Sequence, residues 1–447
     1  MYSFLHRSIF IVVVLFVPSI TVCMITEKLD TYLQACARLN RFNGSVAVAE
    51  GDNVLLNKGY GVANYSYDIP NAADTKFRIC SITKMVTAAC ILQLQEKNKL
   101  NVNDTLDRYF SDYPRGNEIS IHHLLSHTSG IFSGGHPLEM NILPTKLKAL
   151  INYCKDKPLE FQPGTDYRYS NTNYLLLSSI VKKVSGKTYE SFVSENILVP
   201  LGMKDSLFVD HDHAIIKNAA CGYVYDEEHN LVNGHLIYDH NYKGSGSLLC
   251  TAGDLCTFIK ALDEGKIINA ESLSAMRQQY SNQENYGYGC SVGETFGEKS
   301  VQHGGLLSNG FKSIALTIPS KKIYVVILGN MCWLNELCDD LVAIALGKNY
   351  HIPSEEVIEI DSALYDDYVG IYNHPEFEGG YKVKKLGKAL CTSDGRALYP
   401  VQKDEFIDLE RKNMLYKFVR NESGAVGLLK IQGCGGAYFV KGCSKKI

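Results

Sequence analysis

The sequence lacks any long run of charge of one sign. Its 447 residues contain 45 Lys and Arg against 48 Asp and Glu, which gives a formal net charge of -3. Because no basic stripe is present, we expect no nucleic-acid partner. Tandem repeats and low-complexity tracts are absent too. Apolar residues make up 45% of the chain and charged residues 21%, which is typical of a globular protein with a buried core. The length favours two or three domains.

The sequence also lacks an apolar run of about 20 residues, the length that a transmembrane helix needs. Its N-terminus has His6 and Arg7 before a shorter apolar run, residues 9–17, which continues towards Cys23. A short positive region followed by about 7–15 apolar residues is typical of a secretory signal peptide. We therefore predict that residues 1–23 direct export, so that the protein is periplasmic or secreted. The alternative is an uncleaved segment that anchors the protein and makes its only contact with a membrane.

Metal-ligand patterns are missing from the cysteines and histidines. The closely spaced cysteine pairs, which begin at Cys250 and Cys332, have five residues between them, not the two typical of zinc knuckles. His123 and His127 are four apart and could face the same way, but no third ligand or general-base Glu accompanies them. We expect these histidines to lie at a helix end that packs against the core. The sequence predicts neither a metal nor an organic cofactor.

Apolar patterns that are present predict the architecture. A helix over residues 25–39 precedes a hairpin over residues 45–56, and the middle of the chain is mainly helical. A second hairpin follows over residues 313–328, and a helix follows it at about 336–346. Strands at both ends that enclose a helical middle predict an α+β fold, with one antiparallel sheet flanked by helices and an inserted helical region.

The last part of the chain has a different pattern. Residues 351–360 contain a proline and several acidic residues, as a linker does. Residues 361–447 alternate or cluster as strands, which predicts a small antiparallel sheet or barrel. We therefore predict a main domain over residues 24–350, a linker, and a small C-terminal β domain.

The first group of residues that could carry chemistry is Ser81-Ile82-Thr83-Lys84, at the start of an apolar helix. A serine hydroxyl is a weak nucleophile and needs a base within hydrogen-bond reach. Ser81 and Lys84 are three apart, so their side chains share one face of the helix. Lys84 is the only basic residue between Arg78 and Lys97. Burial would push its amine towards the neutral form that a general base requires. A helix-capping serine beside a solvated lysine is the alternative.

The second group is Tyr169-Ser170-Asn171, in a loop that leads into another apolar helix. A phenol can relay a proton if a neighbouring cation lowers its pKa, and an Asn amide can bind a substrate amide. The alternative is an ordinary helix cap made by Ser170 or Asn171.

The third group is His303-Gly304-Gly305-Leu306, just before the late hairpin. Two glycines allow the backbone to approach a ligand closely, and His303 could contact a carboxylate. A turn with an ordinary surface histidine is the alternative.

Together and in this order, the three groups resemble the motifs of the class C β-lactamase and D,D-peptidase superfamily, most closely its broad branch of esterases and peptidases. Connecting segments are similar as well, among them Ile121 to Ile131 and Gly246 to Leu255. The similarity spans roughly residues 28–350. The C-terminal segment resembles the lipocalin-like or other small β-barrel modules of some members.

The resemblance implies a role for each motif residue. Ser81 would be the nucleophile, Lys84 and Tyr169 would share acid and base work, and Asn171 would hold the substrate carbonyl or amide. His303 stands where some relatives carry a lysine. The backbone N–H groups of Ser81 and Leu306 would form the oxyanion hole beside the two glycines, Gly304 and Gly305.

The Ser-Asp-Asn and Lys-Thr-Gly motifs of class A β-lactamases are absent, so we expect weak β-lactamase activity or none. No Gly-x-Ser-x-Gly elbow is present. The segment Gly293 to Gly297 has the glycine spacing of this motif, but it has threonine in the place of the serine. The predicted function is hydrolysis of an ester or amide through an acyl-serine, with a small molecule or peptide as substrate, such as a cell-wall peptide. The alternative is a non-catalytic binding or sensor protein that acylates without turnover.

Overall fold

A computed structural model describes most of the chain. The described residues are 22–39, 41–133, 145–209, 214–225, 230–281, 284–331, 337–353, 358, 360–374, 377–386, 389–392, 396–408, 415–432 and 437–441. The predicted signal or anchor segment lies outside them up to residue 21, and export stays a prediction. Within the part that is described, every helix is too short or too polar to cross a membrane.

The helices and strands are numbered in chain order. The helices are α1, residues 22–38; α2, Thr83–Glu96; α3, Ile121–Leu125; α4, Leu147–Lys155; α5, Asn171–Ser185; α6, Tyr189–Val193; α7, Ala252–Asp263; α8, Ala270–Met276; α9, Leu337–Ala345; and α10, Tyr365–Tyr368. The strands up to residue 350 are β1, Gly44–Glu50; β2, Asn53–Tyr60; β3, Val62–Asn64; β4, Ile69–Pro70; β5, Phe77–Arg78; β6, Leu207–Phe208; β7, Tyr223–Tyr225; β8, Leu231–Asn233; β9, Leu248–Cys250; β10, Ser291–Thr295; β11, Glu298–Leu306; β12, Lys312–Ile318; and β13, Ile323–Gly329.

The described residues form two compact units. The first contains described residues from 22–30, 43–224 and 231–350. The second contains described residues from 31–42, 225–230 and 351–447. The first unit thus ends at Tyr350, next to the linker predicted over residues 351–360, and the domain boundaries themselves stay a prediction.

A six-stranded antiparallel sheet forms the framework of the first unit, in the order β10-β11-β12-β13-β1-β2. Gly44 in β1 lies opposite Gly329 in β13, so strands from distant parts of the chain are neighbours. β13 is buried along its whole length, which explains why it reads as a continuous apolar run and does not alternate. Helix α7 lies against β1, β12 and β13. The predicted α+β sheet is confirmed.

The helical region between β2 and β10 is built around α2. Every residue of α2 from Thr83 to Leu94 is buried, so this helix is enclosed by the protein around its circumference. It packs against α5, α6 and α8. Helix α5 ends at Gly186, whose φ of 73° suits a glycine at this place. Helix α6 ends at Val193, and the chain continues from Ser194 to Leu198 as a π turn.

The second unit contains a closed, eight-stranded barrel in which each strand pairs with the next and the first pairs with the last. Its strands are β14, Gly370–His374; β15, Phe377–Leu386; β16, Ala389–Cys391; β17, Ala397–Gln402; β18, Glu405–Asp408; β19, Leu415–Arg420; β20, Val426–Gln432; and β21, Ala437–Lys441. Aromatic side chains such as Tyr372, Phe406 and Phe418 are buried in its core. The predicted small β domain is confirmed as a barrel.

Candidate active site

Ser81 lies in a 3-10 turn, Cys80–Ile82, which runs directly into α2. The residue before it, Cys80, has a φ of 52°, a left-handed conformation that is uncommon for a residue with a side chain. Cys80 is fully buried, and its thiol donates to backbone oxygens of Arg78 and Phe311. The turn packs against β11 and β12. These contacts hold Ser81 half-buried beside the edge of the sheet.

Lys84 is fully buried one helical turn after Ser81. Its Nζ lies 3.0 Å from Ser81 Oγ, 2.8 Å from Asn171 Oδ1 and 2.8 Å from the Ser245 carbonyl oxygen. The amide and carbonyl oxygens can only accept hydrogen bonds. They therefore engage two amine protons, and in the neutral amine the lone pair remains for the Ser81 hydroxyl. This arrangement suits proton transfer from Ser81 to Lys84.

Burial lowers the pKa of Lys84 well below that of an ordinary lysine, and the neighbouring Cys80 only partly opposes this shift. The cause is desolvation, which destabilises the charged amine. The three hydrogen-bond partners include no carboxylate that would restore the charge. The surroundings of Lys84 therefore favour the neutral amine that the predicted general base requires.

Tyr169 stands on the other side of the serine. Its hydroxyl interacts with the Ser81 side chain, and Lys84 Nζ lies 4.8 Å from its ring centroid. Burial raises the pKa of Tyr169 above that of a free phenol, and the Ser81 side chain only partly opposes this shift. The condition named from the sequence, a pKa lowered by a neighbouring cation, is therefore not met at Tyr169. The phenol keeps its proton at neutral pH and can act as a donor.

Gly305 allows the end of β11 to approach the turn that carries Ser81. A Cβ atom at residue 305 would lie 2.6 Å from Cys80 Cβ and 2.7 Å from the Ile79 carbonyl oxygen. At Gly304 the nearest atom would be 3.7 Å away. Only the second glycine of the pair is therefore needed for this close approach. Ser313 adds a hydrogen bond from its hydroxyl to the Ile79 carbonyl oxygen at 2.7 Å.

The N–H of Leu306 faces the free edge of β11. Leu307 N–H donates to the Phe311 carbonyl oxygen at 2.9 Å. Because bonding directions alternate along an antiparallel strand, the N–H of the preceding residue points away from β12. β10 pairs with β11 only up to Gln302, so it does not cover this edge at residue 306. Leu306 can thus present a donor beside the turn of Ser81, as the predicted oxyanion hole requires.

His303 is placed differently from the expected carboxylate ligand. Its Nε2 lies 2.9 Å from the Tyr286 hydroxyl, and its Nδ1 lies 2.5 Å from the Gly304 carbonyl oxygen. Burial and the proximity of Lys84 lower its pKa to about 3. The imidazole is therefore neutral at pH 7, and both ring nitrogens are bound within the protein. It supports the end of β11 and presents no charge to a substrate.

His127 belongs to the site, although the sequence argument placed it at a helix end. Helix α3 stops at Leu125, and His127 follows it with a left-handed φ of 60°. Its ring centroid lies 4.3 Å from that of Tyr169 and 5.0 Å from that of Tyr286. It is fully buried, and its Nε2 has no hydrogen-bond partner among the described residues. Such an unsatisfied group costs about 1–3 kcal/mol.

His123 has a separate, structural task. With Ser120 it forms a capping box at the start of α3, in which the two residues exchange hydrogen bonds between side chain and backbone. The two histidines therefore have different places, His123 at the start of α3 and His127 against Tyr169. The signal that could have identified His127 is its place in Leu124 to Gly130, a segment that resembles the superfamily but contains none of the three motifs.

Known proteins resemble this chain over the whole first unit and beyond. The sequence profile of the beta-lactamase family matches residues 29–331. A penicillin-binding protein of Bacillus subtilis is 27% identical over 388 residues, which cover 77% of this chain and 82% of that protein. The teichoic acid D-alanine hydrolase of Staphylococcus aureus is 27% identical over 305 residues, or 68% of this chain and 72% of the hydrolase.

A solved structure is similar over nearly the whole chain. The octameric penicillin-binding protein homologue from Pyrococcus abyssi is 27% identical, with a TM-score of 0.67. The match covers 92% of this chain and 99% of the homologue. The similarity thus extends past the six-stranded sheet into the C-terminal part of the chain.

Proposed function

The chain belongs to the beta-lactamase family of serine hydrolases, and from this premise we propose that it hydrolyses D-alanyl esters, or D-alanyl amides without a carboxylate next to the scissile bond, through an acyl-enzyme on Ser81. The observation that carries the proposal is the environment of Lys84, whose buried Nζ contacts Ser81 Oγ and two oxygens that only accept. A solvated lysine beside a capping serine would have neither the burial nor these partners.

Each proton has a place to go in the proposed reaction. Ser81 Oγ attacks the substrate carbonyl carbon and gives its proton to Lys84 Nζ, while negative charge moves onto the carbonyl oxygen. The N–H groups of Ser81 and Leu306 donate to this oxygen, and one such donor is worth about 3–4 kcal/mol in an established oxyanion hole. Tyr169 protonates the leaving alcohol or amine and regains its proton from Lys84.

Water completes the cycle by attacking the acyl ester on Ser81. Lys84, neutral again, accepts a proton from this water, and the proton then returns to the Ser81 oxygen as the acid leaves. Asn171 accepts a hydrogen bond from Lys84 at Oδ1. Its amide nitrogen is therefore left as a donor, and we propose that it binds the substrate carbonyl.

The third motif favours substrates without a free carboxylate next to the scissile bond. His303 is neutral and bound internally at both nitrogens. Arg78, in the strand before Ser81, is paired with Asp239 at 2.7 Å. A D-Ala-D-Ala peptide or a β-lactam would bring a carboxylate that these residues do not neutralise. A D-alanyl ester, the substrate type that the name of the Staphylococcus aureus relative suggests, brings none.

Steady-state hydrolysis by the purified protein tests the proposal. The panel contains a D-alanyl ester and its L-alanyl counterpart, a short-chain nitrophenyl ester, a D-Ala-D-Ala peptide and a chromogenic cephalosporin. We expect the D-alanyl ester to be turned over fastest and the cephalosporin slowly or not at all. Ser81→Ala, which should fold normally, is the control for uncatalysed hydrolysis.

Three results would contradict the proposal in whole or in part. Equal hydrolysis by Ser81→Ala would reject Ser81 as the nucleophile. A single burst of product equal to the enzyme concentration, without turnover, would instead indicate a sensor that only acylates. A preference for the D-Ala-D-Ala peptide would leave the mechanism in place and overturn the proposed substrate class.

A further inference from the structure

His127 binds the backbone on both sides of Tyr169. The N–H of Arg168 donates to the His127 carbonyl oxygen at 3.0 Å. The N–H of Ser170 donates to His127 Nδ1 at 3.1 Å. The backbone N–H groups of the residues before and after Tyr169 are thus both hydrogen-bonded to one residue.

The side chain of His127 can fill this place in only one tautomer. The Ser170 N–H is a donor, and Asn173 Nδ2 lies 3.3 Å from the same Nδ1 as a second donor. Nδ1 must therefore be an acceptor without a proton, and the neutral ring carries its hydrogen on Nε2. Asn173 is oriented in turn by Ser129, whose hydroxyl donates to Asn173 Oδ1 at 2.8 Å.

The ring also supports the phenol directly. Its centroid lies 4.3 Å from the Tyr169 centroid, with 39° between the planes. On its other sides are Tyr174 at 5.2 Å and Tyr286 at 5.0 Å. Tyr169 is therefore held by the backbone hydrogen bonds of Arg168 and Ser170 and by contact with the imidazole ring, all through His127.

We propose that His127 is a positioning residue for Tyr169, which it holds within reach of Ser81 by accepting the hydrogen bonds of Arg168 and Ser170. This inference rests on the proposed role of Tyr169 in proton transfer. His127 itself does not touch the substrate. Its loss should slow the chemical step and change substrate binding little, because a displacement of about 1 Å at a reacting group lowers rates by about 100-fold.

A double-mutant cycle on acyl transfer tests this inference, with Tyr169→Phe, His127→Ala and the combined variant. We expect Tyr169→Phe to be strongly impaired and His127→Ala to lose about 10- to 100-fold in kcat with little change in KM. In the Tyr169→Phe background, His127→Ala should have almost no further effect, because the group that it positions is already missing.

His127→Asn is the matched variant that keeps the fold and the acceptor. Asparagine tolerates a left-handed backbone, and its Oδ1 can accept the Ser170 N–H. We expect the rate of His127→Asn to be at least about tenfold higher than that of His127→Ala. Thermal unfolding of each variant shows whether the fold is kept.

The outcomes separate the two proposals. If Tyr169→Phe is fully active, the proposed role of Tyr169 fails and His127 has nothing to position. If Tyr169→Phe is impaired but the two losses multiply, His127 acts independently and the positioning role is overturned. A folded His127→Asn variant that is as slow as His127→Ala would also overturn it.

Discussion

The direction of one hydrogen bond at the site depends on the protonation of a single residue. A charged Lys84 would donate to Ser81 and leave the hydroxyl proton unused. A neutral Lys84 accepts a hydrogen bond from the Ser81 hydroxyl, because the two protons of its amine face Asn171 and Ser245. Burial lowers the pKa of Lys84 and so favours the second state at neutral pH.

This gives a prediction for the pH dependence of acylation. The active form of Lys84 is the deprotonated one, so the rate should rise with pH through the lowered pKa and reach its plateau below about 10.4, the ordinary value for lysine. Lys84→Arg should be nearly as slow as Lys84→Ala, because guanidinium keeps its proton. The loss should be about 100- to 10,000-fold. Acylation rates from pH 5 to 10 measure it, and a Lys84→Arg rate within a few-fold of the parent would contradict it.

The sequence could predict the part of the site that depends on local spacing. Ser81 and Lys84 lie one helical turn apart, and their contact follows from helix geometry. The Ser245 carbonyl and His127 come from distant loops, and no periodicity brings a loop to a helix. The sequence could not predict the neutral state of His303 either. The pKa of this residue depends on its burial, which the Gly-Gly motif does not reveal.

At the scale of elements, the site depends on how closely β11 approaches the turn Cys80–Ile82. Three atoms limit the space at Gly305, namely Ser313 Oγ, Cys80 Cβ and the Ile79 carbonyl oxygen, at 2.5–2.7 Å from a Cβ placed there. Two of these atoms belong to the chain that leads into Ser81. Any side chain at Gly305 therefore separates the strand from the nucleophile.

Gly305→Ala should accordingly lower stability and displace Ser81. We expect a loss of about 1–3 kcal/mol in the free energy of unfolding, the usual cost of overpacking. Gly304→Ala is the matched control, since its Cβ meets nothing closer than 3.7 Å, and its stability should change by less than about 1 kcal/mol. Denaturant unfolding of both variants measures the difference. Equal stability of the two variants would mean that the strand and the turn adjust freely.

Elements were predicted best where burial is uniform. The apolar helix expected at the Ser81–Lys84 motif is α2, Thr83–Glu96, and the late hairpin is β12 and β13. Many Val, Ile and Leu residues mark each of these elements along its length. The short strands β5, β6 and β9 were not predicted, because two or three residues are too few for a period to emerge.

At the scale of the whole molecule, two hydrophobic cores share no residue. One contains residues from Ala47 to Leu328, and the other contains residues from Tyr365 to Ile431. All motif residues precede Tyr350, where the first unit ends. Each core therefore has the means to be stable by itself.

A chain that ends at Tyr350 should consequently fold and acylate. We expect its labelling by a fluorophosphonate to stay within about tenfold of the full-length rate, since removal of a domain that lacks catalytic groups leaves the reacting atoms in place. The Ser81→Ala version of the same chain gives the background. An insoluble or unlabelled product would show that residues beyond 350 complete the fold or the site.

The pairing of β1 with β13 also sets the time at which the sheet can be completed. Strand β1 can form its hairpin with β2 as soon as both have been synthesised, but its other edge must wait for residues 323–329. At about 5–20 residues per second, translation takes roughly a quarter of a minute to a minute to cover that distance. During this interval the apolar strand Gly44–Glu50 has one unpaired edge. The sheet can therefore be completed only late in the synthesis of the chain. Only then can β11 take its place beside Ser81.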